Sequence, residues 1–284
     1  MKLADGWKDY EVIATGGGEK LERWKDVYLL RPDPQVIWQS SQELRSYPRL
    51  NARYARESSG GGKWEILKKF PEDWVISYKN LKFKIKPMGF KHTGLFPEQA
   101  VNWDAMIKLV KDAESPINVL NLFAYTGGAT VALASAGASV THVDASKGMV
   151  ERAKENLRLS GLEDRPVRFI VDDCFKFVER EIRRGKKYDA IVLDPPSYGR
   201  GPNGEMWKLE NNLFDFLKVC SKVLSDRPLF VLLNSYTTGL QASVLKNLLG
   251  LCFEGKNIEA YEVGLPTDEK NVVLPCGASG LIVF

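Results

Sequence analysis

From Pro116 onward the chain alternates regularly between short apolar stretches and stretches in which apolar residues recur at helical spacing. A parallel sheet that is covered by helices on both faces requires this alternation. The pattern therefore predicts an α/β fold with a doubly wound, mostly parallel, seven-stranded sheet. The predicted strands are Ile117–Leu122, Ser139–Asp144, Val167–Val171, Tyr188–Leu193, Leu229–Leu233, Ile258–Val263 and Gly280–Phe284.

The first 86 residues have a different pattern, with short alternating stretches separated by glycine-rich and proline-rich turns. We predict two domains, a small β-rich domain over residues 1–86 and the α/β domain over residues 87–284. The strands predicted in the small domain include Tyr10–Ala14, Val27–Leu30, Trp74–Tyr78 and Leu81–Ile85. The predicted helices are Pro97–Ala113, Gly128–Ser135, Lys147–Leu159, Cys174–Arg184, Asn211–Leu224 and Gln241–Leu251.

Composition excludes several classes of protein. With 44% hydrophobic and 27% charged residues, the chain is neither disordered nor fibrous. The four cysteines form no C-x-x-C pair and there are only two histidines, so we predict neither a zinc site nor a disulfide framework. No secretory signal or membrane span is visible, and we expect a cytoplasmic protein that needs no membrane and no metal. The sequence is also compatible with a homo-oligomer.

Positive charge is concentrated in residues 44–91, which hold 12 lysines and arginines against four aspartates and glutamates, interleaved with aromatic residues. Such a segment suits a phosphate backbone with exposed bases. Arg49, Arg53 and Arg56 follow Pro48 at the spacing of one helix face, so we predict a short helix whose arginines contact a nucleic acid. A merely solvated helix face is the alternative. Two loops, Ser58–Gly62 and Gly199–Gly204, are candidates to close over a ligand.

The chemistry is expected after the strands, because ligands of open α/β sheets bind beyond the carboxyl ends of the strands. The first strand is followed by a small-residue turn, FAYTGGA, that enters a helix and lets backbone approach a ligand. The next strand ends at Asp144, where such folds place a carboxylate that accepts from both ribose hydroxyls. We expect His142, on the same strand, to be a core residue. These features indicate a nucleoside ligand.

Two further strands end in acidic residues. Asp172 and Asp173 follow the third strand, where a carboxylate can accept from an adenine amino group beside Phe175; either residue suits a helix N-cap equally well. The fourth strand ends in Asp194-Pro195-Pro196, which is the most specific motif in the chain. Two prolines stiffen the loop and remove two N–H donors, which leaves carbonyl oxygens and a carboxylate facing a cleft.

The ordered motifs NLFAYTGGAT, VDAS, VDDCF and LDPPSY resemble those of the class I S-adenosylmethionine-dependent methyltransferases, which have a Rossmann-like sheet, and in particular the group that includes the large-subunit ribosomal RNA methyltransferases. The upstream segment FKHTGLFPEQ is similar to a segment that closes over the cofactor in that group. The resemblance implies S-adenosyl-L-methionine as cofactor and an RNA base as methyl acceptor. The cofactor-binding residues that it implies are Thr93, Phe96, Gln99, Phe123, Tyr125, Thr126, Gly127, Gly128, Asp144, Ala145, Asp172, Asp173, Cys174 and Asp194. Asp194, Pro195, Pro196 and Tyr198 would be catalytic, and Arg49, Arg53, Arg56, Ser197 and Tyr236 would contact the substrate.

The acceptor atom is less constrained. Methylation at carbon 5 of a pyrimidine needs a cysteine nucleophile, and the loop after the fifth strand, NSYTT, has none, so we disfavour that route unless Cys174 or Cys276 reaches the base. Amino-methylating relatives carry an aromatic residue directly after the two prolines, whereas this chain has Ser197 there and Tyr198 one position later. We favour RNA, most of all ribosomal RNA. A small-molecule or protein acceptor and a non-catalytic RNA-binding assembly factor are the alternatives.

Overall fold

The computed structural model describes residues 1–56, 61–200, 206–237, 239–255 and 257–284. The chain forms two compact units. The larger comprises Met1–Lys2, Val101–Val263 and Gly277–Phe284, and the smaller comprises Leu3–Ala100 and Gly264–Cys276. Residues 58–60 and 201–204 of the two predicted ligand-closing loops lie outside the described residues. The division into domains at residues 86 and 87 stays a prediction.

The described strands number 17 and the α-helices six. In chain order the strands are β1 Lys2–Leu3, β2 Tyr10–Gly16, β3 Glu19–Trp24, β4 Val27–Pro32, β5 Ala52–Arg56, β6 Gly62–Ile66, β7 Trp74–Tyr78, β8 Leu81–Ile85, β9 Asn118–Leu122, β10 Ser139–Asp144, β11 Val167–Val171, β12 Ala190–Leu193, β13 Tyr198–Arg200, β14 Met206–Lys208, β15 Phe230–Ser235, β16 Asn257–Pro266 and β17 Val273–Val283. The helices are α1 Ala100–Asp112, α2 Gly128–Ser135, α3 Lys147–Leu159, α4 Cys174–Arg183, α5 Leu209–Ser221 and α6 Ala242–Cys252, with 3₁₀ turns at Leu44–Ser46, Gly89–Lys91 and Pro97–Gln99.

The larger unit is built on a mostly parallel sheet in the order β1-β16-β17-β15-β12-β9-β10-β11. The strand pairs from β15 to β11 are parallel, and β17 runs antiparallel to β15. Every residue of β12 and β15 is buried, as expected for central strands that are covered on both faces. The seven predicted strands are therefore confirmed, and the two-residue β1 adds an edge. None of the helices in the described part of the chain combines the length and the apolar character needed to span a membrane.

The smaller unit contains a five-stranded sheet in the order β2-β3-β4-β5-β6 and a separate β7–β8 hairpin. Its strands are antiparallel except for the β4–β5 pair. One core cluster of this unit is formed by Leu21, Tyr28, Leu30 and their neighbours. Lys79 has a φ of 53° in the two-residue turn of the β7–β8 hairpin, the left-handed conformation that tight hairpin turns favour.

The predicted helix after Pro48 is wrong, because Ala52–Arg56 forms strand β5. Ala52 and Tyr54 are buried while Arg53 and Arg56 are not, and this alternation is the period of a strand. β5 pairs with β6 along its whole length, and Ala52 and Arg53 also pair with β4. Arg53 and Arg56 therefore belong to a strand, and the predicted helix face of arginines does not form.

Candidate active site

The carboxyl ends of the parallel strands β9, β10, β11, β12 and β15 lie at one edge of the larger unit's sheet. Each strand is followed there by a loop that holds residues predicted to bind a ligand. The loops are described in the order in which they follow the strands along the chain.

The loop after β9 has an unusual backbone. Phe123, Tyr125 and Gly127 have φ values of 55°, 49° and 82°, so two non-glycine residues adopt the left-handed region within five positions. Such residues cost about 1–3 kcal/mol each and persist only where their surroundings hold them. Gly127 is required for a second reason, since a Cβ atom there would lie 2.8 Å from that of Ala153. Gly128 is similarly constrained, because its Cβ would come within 2.8 Å of the Trp103 ring.

Three side chains hold this loop. The backbone N–H of Tyr125 donates to Asp144 Oδ2 at 2.8 Å, and the N–H of Phe123 donates to the sulfur of Cys174 at 3.3 Å. Cys174 is buried, and burial raises the pKa of its thiol well above the usual value. From α3, the side-chain amide of Asn156 donates to the carbonyl of Thr126 at 2.9 Å. The loop is thus fixed by acceptors and donors from three neighbouring elements.

Asp144 at the end of β10 is placed to bind a polar ligand. Its two oxygens accept from the N–H groups of Tyr125 and Ser146, both at 2.8 Å, and each oxygen keeps a second lone pair. Burial raises the pKa of the carboxyl, and the two backbone hydrogen bonds oppose that shift. The neighbouring Ala145 is exposed. A carboxylate held in this way can accept from the hydroxyls of a ribose, so this edge of the sheet fits the nucleoside part of S-adenosylmethionine.

The two acidic residues after β11, Asp172 and Asp173, have different partners. Asp173 is the N-cap of α4 and accepts from the N–H of Lys176 at 2.9 Å, whereas Asp172 forms an ion pair with Arg180. Of the two residues suited to an N-cap, the structure therefore uses Asp173. Phe175, predicted beside the adenine, is half-buried and stacks on Phe216 with ring centroids 5.6 Å apart. Contact of any of these residues with the cofactor stays a prediction.

The loop after β12 carries the Asp194-Pro195-Pro196 motif. Pro195 is buried, while Pro196, Ser197 and Tyr198 are exposed. The carbonyl oxygen of Pro196 accepts from the indole N–H of Trp207 at 2.6 Å. The carbonyl of Ser197 accepts from the N–H of Leu209 at 3.0 Å, and the Tyr198 hydroxyl donates to the sulfur of Met206 at 3.2 Å. The position of the loop after β12 is thus fixed by hydrogen-bond partners on β14 and α5.

The loop after β15 meets the loop after β12. The hydroxyls of Thr237 and Ser197 lie 2.5 Å apart, and the N–H of Thr237 donates to the Ser235 hydroxyl at 3.2 Å. Tyr236 is half-buried. Beneath them is a buried polar network that the sequence did not reveal, because its members are far apart along the chain. In it Asn102 donates to Asn234 at 3.1 Å and to Ser279 at 2.9 Å, and accepts from Tyr261 at 2.7 Å.

His142 lies inside the sheet, as predicted. Its Nδ1 is 2.8 Å from the hydroxyl of Thr130, which accepts from the Asn121 side chain at 2.9 Å. Burial lowers the pKa of His142 to about 3, so the ring is neutral. A Cβ atom at Gly127 would lie 3.6 Å from this ring, so His142 packs close to the loop after β9.

The remaining predicted site residues lie in the smaller unit. Thr93 and Gln99 are buried, and the ring of Phe96 packs against His92 with centroids 5.8 Å apart. Their contact with the cofactor stays a prediction. Arg49 lies over the ring of Tyr28 at 4.3 Å. By contrast, Arg53 and Arg56 line one groove together with Arg45, a residue that the sequence did not single out. Within the described residues, no three side chains of the metal-binding types converge.

Comparison with known proteins gives a consistent result. The family model for S-adenosylmethionine-dependent methyltransferases matches residues 30–212. A crystal structure of the SAM-dependent methyltransferase from Agrobacterium tumefaciens is 35% identical, superposes with a TM-score of 0.92, and covers 98% of this chain and 91% of that one. The ribosomal RNA large subunit methyltransferase K/L of Shewanella frigidimarina is 32% identical over 62% of this chain and 24% of its own length. The ribosomal RNA large subunit methyltransferase K of Neisseria meningitidis is 25% identical over 88% of this chain and 71% of its own length. The chain thus spans about a quarter of the length of the first of these curated relatives.

Proposed function

Because the chain belongs to the family of S-adenosylmethionine-dependent methyltransferases, we propose that it methylates RNA, and ribosomal RNA in particular. The observation that carries the choice of acceptor is that the curated relatives described above are named as ribosomal RNA large subunit methyltransferases. The basic character of residues 44–91 supports it, because neutralising phosphates is the main source of affinity for RNA. We propose the cytoplasm as its location.

The loops at the carboxyl edge fit the cofactor. Asp144 would hold the ribose, the loop from Phe123 to Gly128 would approach the methionine part, and the residues after β11 would border the adenine. When bound, the sulfonium cofactor supplies an activated methyl group, so the protein needs to align the acceptor and exclude water. The rigid loop after β12 serves the alignment, and the Asp194 carboxylate at its start stabilises positive charge that develops during transfer.

Our proposal excludes carbon 5 of a pyrimidine as the methyl acceptor. That chemistry begins with attack by a thiolate. Burial raises the pKa of all four cysteines, Cys174, Cys220, Cys252 and Cys276, so none is prepared as a nucleophile. Cys174 already serves as an acceptor for the backbone of Phe123. N-methylation of a purine ring, or transfer to another position in the RNA, is consistent with these environments.

The proposal is tested by incubating the purified protein with labelled S-adenosylmethionine and total RNA from cells that lack the protein. We expect label in one RNA species, whose digestion then gives the modified base. An RNA-free extract of the same cells is assayed in parallel. Label in protein or small molecules alone would contradict the RNA acceptor and leave the methyltransferase assignment intact.

A variant of Asp194 separates catalysis from a binding role. We expect Asp194→Ala to abolish methyl transfer while the affinity for S-adenosylmethionine, measured by calorimetry, falls much less. If the wild-type protein binds the cofactor and RNA but neither it nor the variant transfers label to any acceptor, the assembly-factor alternative replaces the proposal.

A further inference from the structure

The smaller unit contains a groove of about 500 Å³ that the cofactor site does not use. Its floor is formed by the glycine turn between β2 and β3 and by the carboxyl ends of β4 and β5. The register explains why these elements meet, since Glu19 at the start of β3 is paired with Pro32 at the end of β4, and β4 runs parallel to β5. The groove is lined mainly by Gly17, Gly18, Glu19, Arg45, Arg53 and Arg56.

The three arginines of the groove differ in their carboxylate partners. Arg45 uses Nε and Nη2 to hold Glu19, at 3.0 and 3.3 Å, and Arg53 pairs through Nε with Glu65 on β6 at 2.6 Å. Arg56 is exposed, and no carboxylate among the described residues pairs with it. Three arginines therefore line one groove whose lining contains a single carboxylate, that of Glu19. Guanidinium groups match the geometry of phosphate oxygens, which accept two parallel hydrogen bonds from one arginine.

More positive charge lies behind the groove. Arg31 is buried, pairs with the buried Glu22 and donates to the carbonyl of Lys91 at 3.0 Å. The ammonium of Lys91 donates to the carbonyl of Pro32, which lines the groove, at 3.0 Å. Burial lowers the pKa of Lys91 to about 8. The carboxylate of Asp33 opposes this shift, and the nearby cations Lys20, Arg31 and Arg56 add to it. Cations that repel one another in this way are stabilised when an anion binds among them.

We propose that this groove binds the sugar–phosphate backbone of the RNA acceptor. The inference rests on the proposed function and adds the residues that hold the substrate. It selects the backbone rather than the bases, because the aromatic residue that lines the groove, Tyr54, is only 6% exposed and offers no free ring face for stacking. Binding here is expected to be insensitive to sequence and strongly dependent on salt.

The test measures binding of a fluorescently labelled fragment of ribosomal RNA to the full-length protein over a range of salt concentrations. The test variants are Arg53→Gln and Arg56→Gln, and the matched control is Arg23→Gln. Arg23 also sits opposite a glutamate on the neighbouring strand, pairing with Glu11 at 2.9 Å, but it lies outside the groove. Each substitution thus removes one positive charge from the same sheet.

We expect each test variant to weaken RNA binding by about threefold to tenfold, and to reduce the slope of log affinity against log salt by about 0.7–1. The control should keep the wild-type affinity and slope, and all proteins should keep their affinity for S-adenosylmethionine. If the wild-type protein binds and methylates RNA but all three variants match it, the groove assignment is wrong and the proposed function stands. If the wild-type protein neither binds nor methylates RNA, both are wrong.

Discussion

The indole N–H of Trp207 donates a 2.6 Å hydrogen bond to the carbonyl oxygen of Pro196, and the same ring packs against Phe123 with centroids 5.2 Å apart. Pro196 belongs to the loop after β12 and Phe123 to the loop after β9. One side chain therefore connects the loop proposed to border the acceptor with the loop proposed to hold the cofactor. Because methyl transfer depends on alignment of donor and acceptor, this contact is expected to act on the rate of the chemical step.

We predict that Trp207→Phe lowers kcat by about tenfold and changes the affinity for S-adenosylmethionine much less, because a phenyl ring keeps part of the aromatic packing while the N–H is lost. Single-turnover methyl transfer and calorimetry measure the two quantities. Trp74→Phe is the matched control, since the Trp74 indole also donates to a backbone carbonyl, that of Trp24 at 3.0 Å, but in the smaller unit. An equal loss of rate in both variants would show that the effect is not specific to the loop.

The architecture of the larger unit could be predicted because its strands are short apolar runs and most of its helices have one apolar face. Predicted and observed ends agree for α2 and α3, where Gly128 and Lys147 begin the helices. The ligand-binding loops could be located for the same reason, because each begins where a predicted strand ends. The hydrogen bonds that hold these loops could not be predicted. Nothing in the sequence shows that Cys174 would accept from Phe123, because this pairing depends on how α4 packs into the core of the larger unit.

The smaller unit shows where spacing misleads. The arginines at 49, 53 and 56 fit one helix face, yet the same stretch also has the alternation of a strand at Ala52 and Tyr54. Pairing with β4 and β6 decided between the two, and strand pairing is a long-range property that a local pattern does not contain. For the same reason, no local sequence pattern indicated that Arg45 would line the groove.

Asp144→Asn should weaken binding of S-adenosylmethionine by about tenfold or more. The carboxylate accepts from two backbone N–H groups, and an amide turns an NH₂ group toward one of them. The matched control is Asp189→Asn, because Asp189 also accepts from a backbone N–H, that of Asn118 at 2.9 Å, but beside the amino end of β9. Calorimetric titration of the three proteins gives the comparison. A similar loss of affinity in Asp189→Asn would argue that Asp144 acts only through stability.

Cys174→Ala should lower both the stability and the cofactor affinity, because it leaves the N–H of Phe123 without its acceptor in a loop that already has left-handed residues. An orphaned buried donor costs about 1–3 kcal/mol. Cys174→Ser supplies a hydroxyl acceptor and should recover part of the loss. Cys220→Ala removes another buried thiol, one without such a role, and serves as the control for the cavity. Urea unfolding gives the free energies, and equal stability of the alanine and serine variants would contradict the argument.

Both histidines of the chain have a lowered pKa, to about 3 for His142, through burial, and to about 4 for His92, through burial and nearby cations that include Arg31. In the unfolded chain each titrates near its ordinary value of 6.5. Below that value the unfolded state therefore binds protons that the folded state does not. Stability should fall as the pH decreases from about 6.5, and each histidine contributes up to about 1.4 kcal/mol per pH unit.

We accordingly predict that His142→Gln makes the stability of the larger unit less dependent on pH between about 6.5 and 5, a window that lies above the titration of ordinary carboxylates. The glutamine side chain offers Thr130 a polar partner in place of Nδ1, which limits the loss of stability at neutral pH. Urea unfolding of wild type and variant at several pH values in this window gives the two slopes. His92→Gln provides the parallel measurement in the smaller unit. If the slope of the larger unit is the same with and without His142, the ring is protonated in the folded state and the neutral, structural role assigned to it is wrong.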